Sequence, residues 1–141
     1  MRLTIKNKTD YPTPVLRKII KAAAKQVGVK KDKTVQIVYA RHRGCITGWG
    51  WYGDRVTESH MRTNYHRGGQ YTCHVLIRLP KPKYNKKTPN ELALSLGAVA
   101  AHEFMHNLGV EHKDMTRDQY HCRTAWAERW GTLNDVELKV D

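Results

Sequence analysis

The stretch Thr88–His112, TPNELALSLGAVAAHEFMHNLGVEH, joins a well-marked helix to a cluster of histidines at its end. Its first four residues, Thr88-Pro89-Asn90-Glu91, have the pattern of a capping box with proline at the first helical position. Apolar residues with helical spacing follow and continue the predicted helix to about Asn107. Gly109 then permits the left-handed turn that ends a helix. The sequence therefore predicts one long helix with polar side chains at its C-terminal end.

The histidines of this stretch have the spacing of metal ligands. His102 and His106 are four residues apart, so on a helix they lie about 40° from each other, one turn apart. After the turn at Gly109, His112 can reach the same ion, and three nitrogen ligands leave a fourth tetrahedral position open for water, as in catalytic zinc sites. Glu103 would take a proton from that water and pass it to a leaving group. We therefore predict one catalytic Zn²⁺ held by His102, His106 and His112, with Glu103 as general base.

The eleven residues His102–His112 match the HExxHxxGxxH signature without a mismatch, and the chain resembles the metzincin family of zinc metallopeptidases. This resemblance implies a zincin-like active-site helix, zinc ligation by the three histidines and peptide-bond hydrolysis with Glu103 as base. Metzincins also carry a methionine turn under the metal, well beyond the third histidine. Here the only methionine after His112 is Met115, which would have to form a compressed version of that turn.

A second resemblance is to the YbeY family of rRNA-maturation endonucleases. Those proteins are similarly small, open β-α-β, and bind zinc through three histidines with the same spacing near the C-terminus. This resemblance implies an endoribonuclease as the alternative function. Glu103 discriminates between the two, because that family has a small residue there and a carboxylate suits amide hydrolysis but repels a phosphodiester. A metal-binding protein without turnover is the third class that stays open.

Upstream of the histidine stretch, the pattern predicts a β-α-β opening. Residues 2–6 alternate as a first strand, and a helix is predicted from an N-cap at Thr13, with Pro14 as its first residue, to a stop at Gly28. Alternation at Val35, Ile37 and Tyr39 predicts the second strand. The Gly-, Arg- and aromatic-rich segment 41–72 predicts short strands and loops, Tyr71–Leu79 a middle strand, and residues 81–87 a basic surface loop.

Downstream, the Thr116–Gln119 pattern is again a capping box, and we predict one helix from there past Trp126 to Gly131. A short strand is predicted over Val136–Val140. Tyr120 and His121 follow the signature at positions from which a side chain could donate to an oxyanion. The whole pattern predicts one α+β domain over residues 1–141, with a twisted mixed sheet packed on two or three helices.

The charge of the chain divides at the start of the histidine stretch. The net charge is +12, but residues 1–89 carry 20 basic and 4 acidic side chains, whereas residues 90–141 carry 5 and 9. The basic part, a β-α-β scaffold, can hold nucleic acid, attract acidic proteins or keep the chain soluble. Because the predicted zinc site lies in the acidic part, we expect a protein or peptide substrate, with nucleic-acid contact through the basic half as a further option.

Two features bear on location. No stretch approaches the ~20 apolar residues that span a bilayer, and the N-terminus alternates apolar and polar residues, unlike a signal peptide. Cys45, Cys73 and Cys122 are an odd number at wide spacing, which does not indicate a disulfide framework. The sequence therefore predicts a cytoplasmic protein with no membrane partner.

Overall fold

The computed structural model describes residues 2–31, 34–42, 47–52, 61–63, 72–80 and 87–140. Both helices and strands are present, as predicted for the α+β class. The part of the predicted basic loop at residues 81–86 lies outside the described residues. The elements are β1 (Arg2–Asn7), α1 (Thr13–Val27), β2 (Thr34–His42), β3 (Thr47–Tyr52), β4 (Met61–Thr63), β5 (Thr72–Pro80), α2 (Pro89–Asn107), a 3₁₀ turn (His112–Asp114), α3 (Arg117–Tyr120) and α4 (Thr124–Glu128).

The strands form one five-stranded sheet in the order β1-β2-β5-β3-β4, with an additional pairing of β4 to β5. β1, β2 and β5 are parallel, and Ile37 of β2 aligns with Ile5 on one side and Val75 on the other. β3 and β4 run antiparallel to β5, with Trp49 opposite Leu76. The end of the sheet formed by β3 and β4 lies next to α2.

Helix α1 has the predicted stop but not the predicted start. Gly28 has φ +88° and its N–H donates to Ala24 O at 3.0 Å, as expected for a left-handed residue after a helix. The prediction of Thr13 as N-cap is wrong: Pro12 occupies that position and Thr13 is already helical. The Thr13 hydroxyl instead accepts from Asn7 Nδ2 at 3.1 Å, so it is engaged by the end of β1 rather than by the helix.

Helix α2 follows its prediction closely. The Thr88 hydroxyl accepts from the Glu91 N–H at 3.2 Å, and the helix ends at Asn107. Its apolar residues between Leu92 and Phe104 are buried against α1, α4 and the sheet. Gly97 allows a close approach here, because a Cβ on it would lie 2.5 Å from Leu133 Cδ1. The helix is therefore a central element of the core.

The single helix predicted from Thr116 to Gly131 is wrong. The capping box at its start is present, but α3 ends at Tyr120 and α4 begins at Thr124. Between them Cys122 has φ +51°, a left-handed conformation that a right-handed helix does not continue through. The Arg123 N–H donates back to Asp118 O at 3.0 Å, which closes a tight turn between the two short helices.

The strand predicted over Val136–Val140 is also wrong, because this segment joins no sheet among the described residues. Its alternation reflects burial of Val136 and Leu138 against the core, with exposed residues between them. The Leu138 N–H donates to Pro89 O at 3.0 Å. Asn90 Nδ2 lies 2.8–3.1 Å from three carbonyl oxygens, those of Leu133, Asn134 and Val136. The segment is thus tied to the first turn of α2.

Among the described residues, no helix is long and apolar enough to cross a membrane.

Candidate metal centre

Three histidine side chains meet at the C-terminal end of α2. The Nε2 atoms of His102, His106 and His112 lie 3.1–3.2 Å from one another, so they form a nearly equilateral triangle. His102 is buried, His106 half-buried and His112 exposed. The cluster therefore has an enclosed side against the core and an open side toward solvent.

The turn after α2 brings the third histidine back to the first two. Gly109 has φ +87°, and its N–H donates to His106 O at 3.0 Å. The next N–H, that of Val110, donates to Met105 O at 3.0 Å. These bonds fold the chain back over the last turn of α2, and the 3₁₀ turn that begins at His112 places its ring opposite His102 and His106. A side chain at residue 109 would be strained at this positive φ.

The other ring nitrogens of two histidines are bonded to backbone carbonyls. His102 Nδ1 lies 2.8 Å from Gln119 O, and His106 Nδ1 lies 2.9 Å from Val110 O. Because a carbonyl oxygen only accepts, each Nδ1 carries the hydrogen, and the Nε2 of the neutral ring is left with a lone pair. Such carbonyl bonds orient the histidine ligands of metal sites.

Two Nε2 lone pairs 3.1 Å apart repel each other unless a cation lies between them. A proton is disfavoured there: burial lowers the pKa of His102 to about 4, with the neighbouring histidines adding to the effect, and burial also lowers the pKa of His106. The three residues could therefore hold a metal ion, and three imidazole nitrogens suit zinc, copper, iron or nickel rather than calcium or magnesium.

Glu103 lies on α2 directly after the first histidine, and only 4% of its surface is exposed. Its Oε2 is fully buried and has no hydrogen-bond partner among the residues that the structure describes. Burial raises the pKa of this carboxyl from 4.5 to about 8, because an ionised carboxylate loses its hydration inside a protein. An unpaired buried carboxylate is costly in a folded protein, which makes Glu103, the residue after the first histidine of the cluster, a candidate for a functional role.

Cys122 is a neighbour of Glu103 that sequence reasoning missed. Burial, with the nearby Glu103 carboxylate, raises the pKa of its thiol to about 12, so it stays a neutral thiol at ordinary pH. The left-handed turn at Cys122 is what brings the segment after α3 back toward α2. No sequence pattern marked this turn, because a cysteine is not a residue type that favours positive φ.

A local network fixes the carbonyl that holds His102. The Gln119 N–H donates to the Thr116 hydroxyl at 3.3 Å, and the Thr116 N–H donates to Gln119 Oε1 at 2.9 Å. The carboxylate of Asp118 accepts from Arg129 and lies 3.9 Å from Arg123 Nε, which links α3 to the chain on both sides of α4. The capping box was visible in the sequence, but its consequence for His102 was not.

Val110 and Gln119, whose carbonyls hold the two histidines, also line one cavity. It has a volume of about 210 Å³ and lies between the C-terminal ends of α1 and α2 and the start of α4, with Met105 and Trp126 in its wall.

Two other residues singled out from the sequence lie near His112. The ring of Tyr120 is 4.9 Å from the His112 ring and nearly perpendicular to it, and 45% of the tyrosine is exposed. Met115 is half-buried, and its N–H donates to His112 O at 3.1 Å. A methionine turn formed by Met115 and an oxyanion donor at Tyr120 or His121 stay predictions.

The structure thus brings His102, His106 and His112 together as the spacing predicted, whereas the role of Glu103, the residue after His102 on α2, stays a prediction. The two carbonyl partners, Val110 and Gln119, were not predicted. Comparisons of the chain with models of protein families, with curated proteins and with solved structures found no match.

Proposed function

We propose that the chain is a zinc metallopeptidase, a metzincin-like endopeptidase that hydrolyses peptide bonds. In this proposal His102, His106 and His112 bind one Zn²⁺ and Glu103 is the general base. The observation that carries it is the triangle of Nε2 atoms at 3.1–3.2 Å. It is supported by Glu103, the residue after His102, whose buried Oε2 has no hydrogen-bond partner among the described residues.

The donor set fits zinc in size as well as in chemistry. The centre of the Nε2 triangle lies about 1.8 Å from each nitrogen. This is slightly shorter than the usual zinc–nitrogen distance of about 2.0–2.1 Å, so all three nitrogens can reach one zinc ion. His112 is exposed, so the fourth position faces solvent, as a catalytic rather than a structural site requires. Both carbonyl-bound histidines are held as neutral rings, the form that ligates.

When bound at such a site, zinc would act as a Lewis acid that polarises a carbonyl group and lowers the pKa of a water molecule. Glu103 has the properties of the partner base. A glutamate carboxylate near the bound ion can take a proton from water and return it to a leaving amine, and the positive charge of the ion would favour its ionised form. The position of Glu103 on α2, fixed by the packed core, orients the carboxylate without a mobile loop.

The sheet offers a place for an extended substrate. β3 and β4 form the end of the sheet next to α2, and a peptide could add to this edge by β-strand pairing. We propose a zincin-like arrangement, with a twisted sheet, α2 as the active-site helix and the substrate cleft running across the histidines. We propose that the protein is cytoplasmic, on the basis of the odd number and wide spacing of its cysteines.

An endoribonuclease like the YbeY family is the second candidate. It uses the same three histidines, and it is favoured by the cationic surface of the N-terminal half of the chain. Glu103 argues against it, because a carboxylate beside the metal would repel a phosphodiester. The two candidates therefore differ in what Glu103 contributes: it is required in the first and dispensable in the second.

The metal site is tested first. We expect the wild-type protein to bind one zinc ion, and His102→Ala to lower the zinc affinity about a thousandfold, as loss of one of three ligands should. His121→Ala is the matched control, because His121 is an exposed histidine outside the cluster. Affinity is measured by competition with a chelator of known strength. Zinc binding unchanged in His102→Ala would exclude the site.

The reaction is tested with zinc-loaded wild type, Glu103→Gln and Glu111→Gln, each given an unstructured protein and a structured RNA. Glu111 is the control, because it is an exposed glutamate of the same segment, 3.3 Å from Lys113. We expect protein cleavage that falls about 10²–10⁴-fold in Glu103→Gln alone. RNA cleavage that survives in Glu103→Gln supports the endoribonuclease, and zinc binding with no cleavage of either substrate supports a binding protein.

A further inference from the structure

The exposed side of α1 carries a basic groove, which we define by Arg17, Lys18, Lys21, Lys25 and Thr132. It has a volume of about 410 Å³. The three lysines are exposed and Arg17 is half-buried, with its guanidinium donating to Leu3 O at 3.3 Å. The groove is thus a formed surface, with one cationic group anchored to β1 and three free to meet a partner.

The positive charge of the basic groove is not neutralised within the described part of the chain. No acidic side chain lines it. None of Lys18, Lys21 and Lys25 forms an ion pair with another described residue, whereas Lys113 and Lys139 in the acidic half each lie within 3.4 Å of a glutamate. Four cationic groups on one face without a counter-charge create a positive potential that attracts an anionic partner.

The hydrogen-bonding groups of the basic groove select the kind of anion. Its cationic side chains are donors only, and the Thr132 hydroxyl is the single side-chain group of the lining that can also accept. An acidic peptide brings a backbone N–H donor with almost every residue, and these would lack acceptors here. A phosphodiester backbone offers acceptor oxygens and no donors, so it matches the groove.

The spacing and composition of the basic groove favour a duplex. Lys18 to Lys25 extends about 10 Å along the helix axis, the rise of about three phosphates on one strand. Among the described residues, no aromatic side chain lines the groove, so these residues offer the bases of a single strand no stacking partner. A duplex keeps its bases stacked inside and presents phosphates outward. We propose that the basic groove binds the phosphate backbone of double-stranded nucleic acid, independently of base sequence.

The test compares two triple variants with the same change in charge. Lys18→Gln/Lys21→Gln/Lys25→Gln removes the groove lysines, and Lys113→Gln/Arg117→Gln/Lys139→Gln removes three exposed cations from the acidic half. Binding to a labelled 20-base-pair DNA duplex, the corresponding RNA duplex, a single strand and polyglutamate is measured by fluorescence anisotropy over a range of salt concentrations. Circular dichroism checks that each variant is folded.

We expect the groove variant to lose about 2.7 from the slope of log affinity against log salt, as removal of three phosphate contacts predicts. The ratio of wild-type to variant affinity should then fall about 40-fold between about 50 and about 200 mM salt. The control variant should change little, because its three replaced cations lie outside the basic groove. An unchanged slope in the groove variant, or polyglutamate or single strand bound as tightly as duplex, would overturn the proposal.

Discussion

Helices α1 and α2 each have a proline in the first turn, but they differ in the free energy that a charged side chain costs. α1 buries one apolar face, including Leu16 and Ile19, and carries its lysines on the side that faces solvent. α2 is buried along most of its length, and His102 and Glu103 share that buried environment. A lysine on the outside of α1 keeps its hydration, whereas a carboxylate inside the core loses it. A charged side chain on the exposed side of α1 therefore costs little folding free energy. An ionisable side chain buried on α2 costs much more, and this indicates a functional site.

The strongest test of this difference is the pH dependence of stability in the metal-free protein. The pKa of Glu103 is raised from 4.5 to about 8 in the folded chain. Between these pH values the unfolded chain has lost the proton that the native chain keeps, so the free energy of unfolding falls as pH rises. The glutamine of Glu103→Gln does not titrate, so the stability of this variant does not fall in the same way. It should be more stable than wild type at pH 8, by a few kcal/mol, and about as stable as wild type at pH 4.

Chemical denaturation at a series of pH values in the presence of a chelator measures this effect. The difference between wild type and Glu103→Gln is the useful quantity, because the titration of the histidines is common to both proteins. Glu128→Gln is the control, since Glu128 is exposed on α4 and should show no such slope. A constant difference between wild type and Glu103→Gln from pH 4 to pH 8 would show that Glu103 is not a desolvated carboxyl.

The second test concerns the packing that buries α2. Gly97→Ala places a Cβ 2.5 Å from Leu133 Cδ1 and 3.3 Å from Trp130 Cζ3. We expect a loss of about 1–3 kcal/mol of stability from overpacking, seen as a lower melting temperature. In a Leu133→Val background the same change should cost less, because valine lacks the Cδ1 atom that the new Cβ would contact. Equal costs in both backgrounds would mean that this contact does not limit α2.

The third test concerns the network behind the metal ligands. Asp118→Asn removes the charge that links α3 to Arg129 and Arg123, and so loosens the carbonyl of Gln119 on His102 Nδ1. Changes at partners that orient metal ligands cost about 10–100-fold in metal affinity, and we expect the lower end, since a backbone carbonyl is affected only indirectly. Chelator competition measures it. Asp135→Asn, an exposed aspartate elsewhere in the same half, should leave the affinity unchanged.

The smallest effect is expected on α1. Replacing Lys18, Lys21 and Lys25 by glutamine should change the free energy of unfolding by less than about 0.5 kcal/mol per site, because these side chains are exposed and unpaired with described residues. Thermal unfolding of the triple variant provides the measurement. A marked loss of stability would show that the lysines belong to the scaffold and are not free for a partner.

The features of these regions that were predicted correctly depend on short stretches of the sequence. The capping residue, the apolar run and the glycine of α2 lie within one segment, and the spacing of His102 and His106 needs only helix geometry. Gly109 then brings His112 back within a few residues. Short-range patterns of this kind were sufficient to predict the three ligands and the helix that carries them.

The failures involve interactions or backbone conformations that the residue pattern of the predicted element does not contain. Thr13 has a good capping side chain, but Asn7 of β1 engages it. The helix predicted from Thr116 to Gly131 breaks at Cys122, and the alternation at Val136 and Leu138 reflects burial rather than strand pairing. The hydrogen bond from His102 Nδ1 to the Gln119 carbonyl was not predicted either. Every residue has a backbone carbonyl, so the sequence does not indicate which one accepts from a donor 17 residues away.

The most direct test of the metal centre is a crystal structure of the zinc-loaded protein with diffraction recorded on both sides of the zinc absorption edge. We expect one anomalous peak about 2.0–2.1 Å from the Nε2 atoms of His102, His106 and His112, with His102 Nδ1 still bonded to Gln119 O. A zinc peak elsewhere, or histidines that keep their positions with no zinc between them at saturating metal, would contradict it.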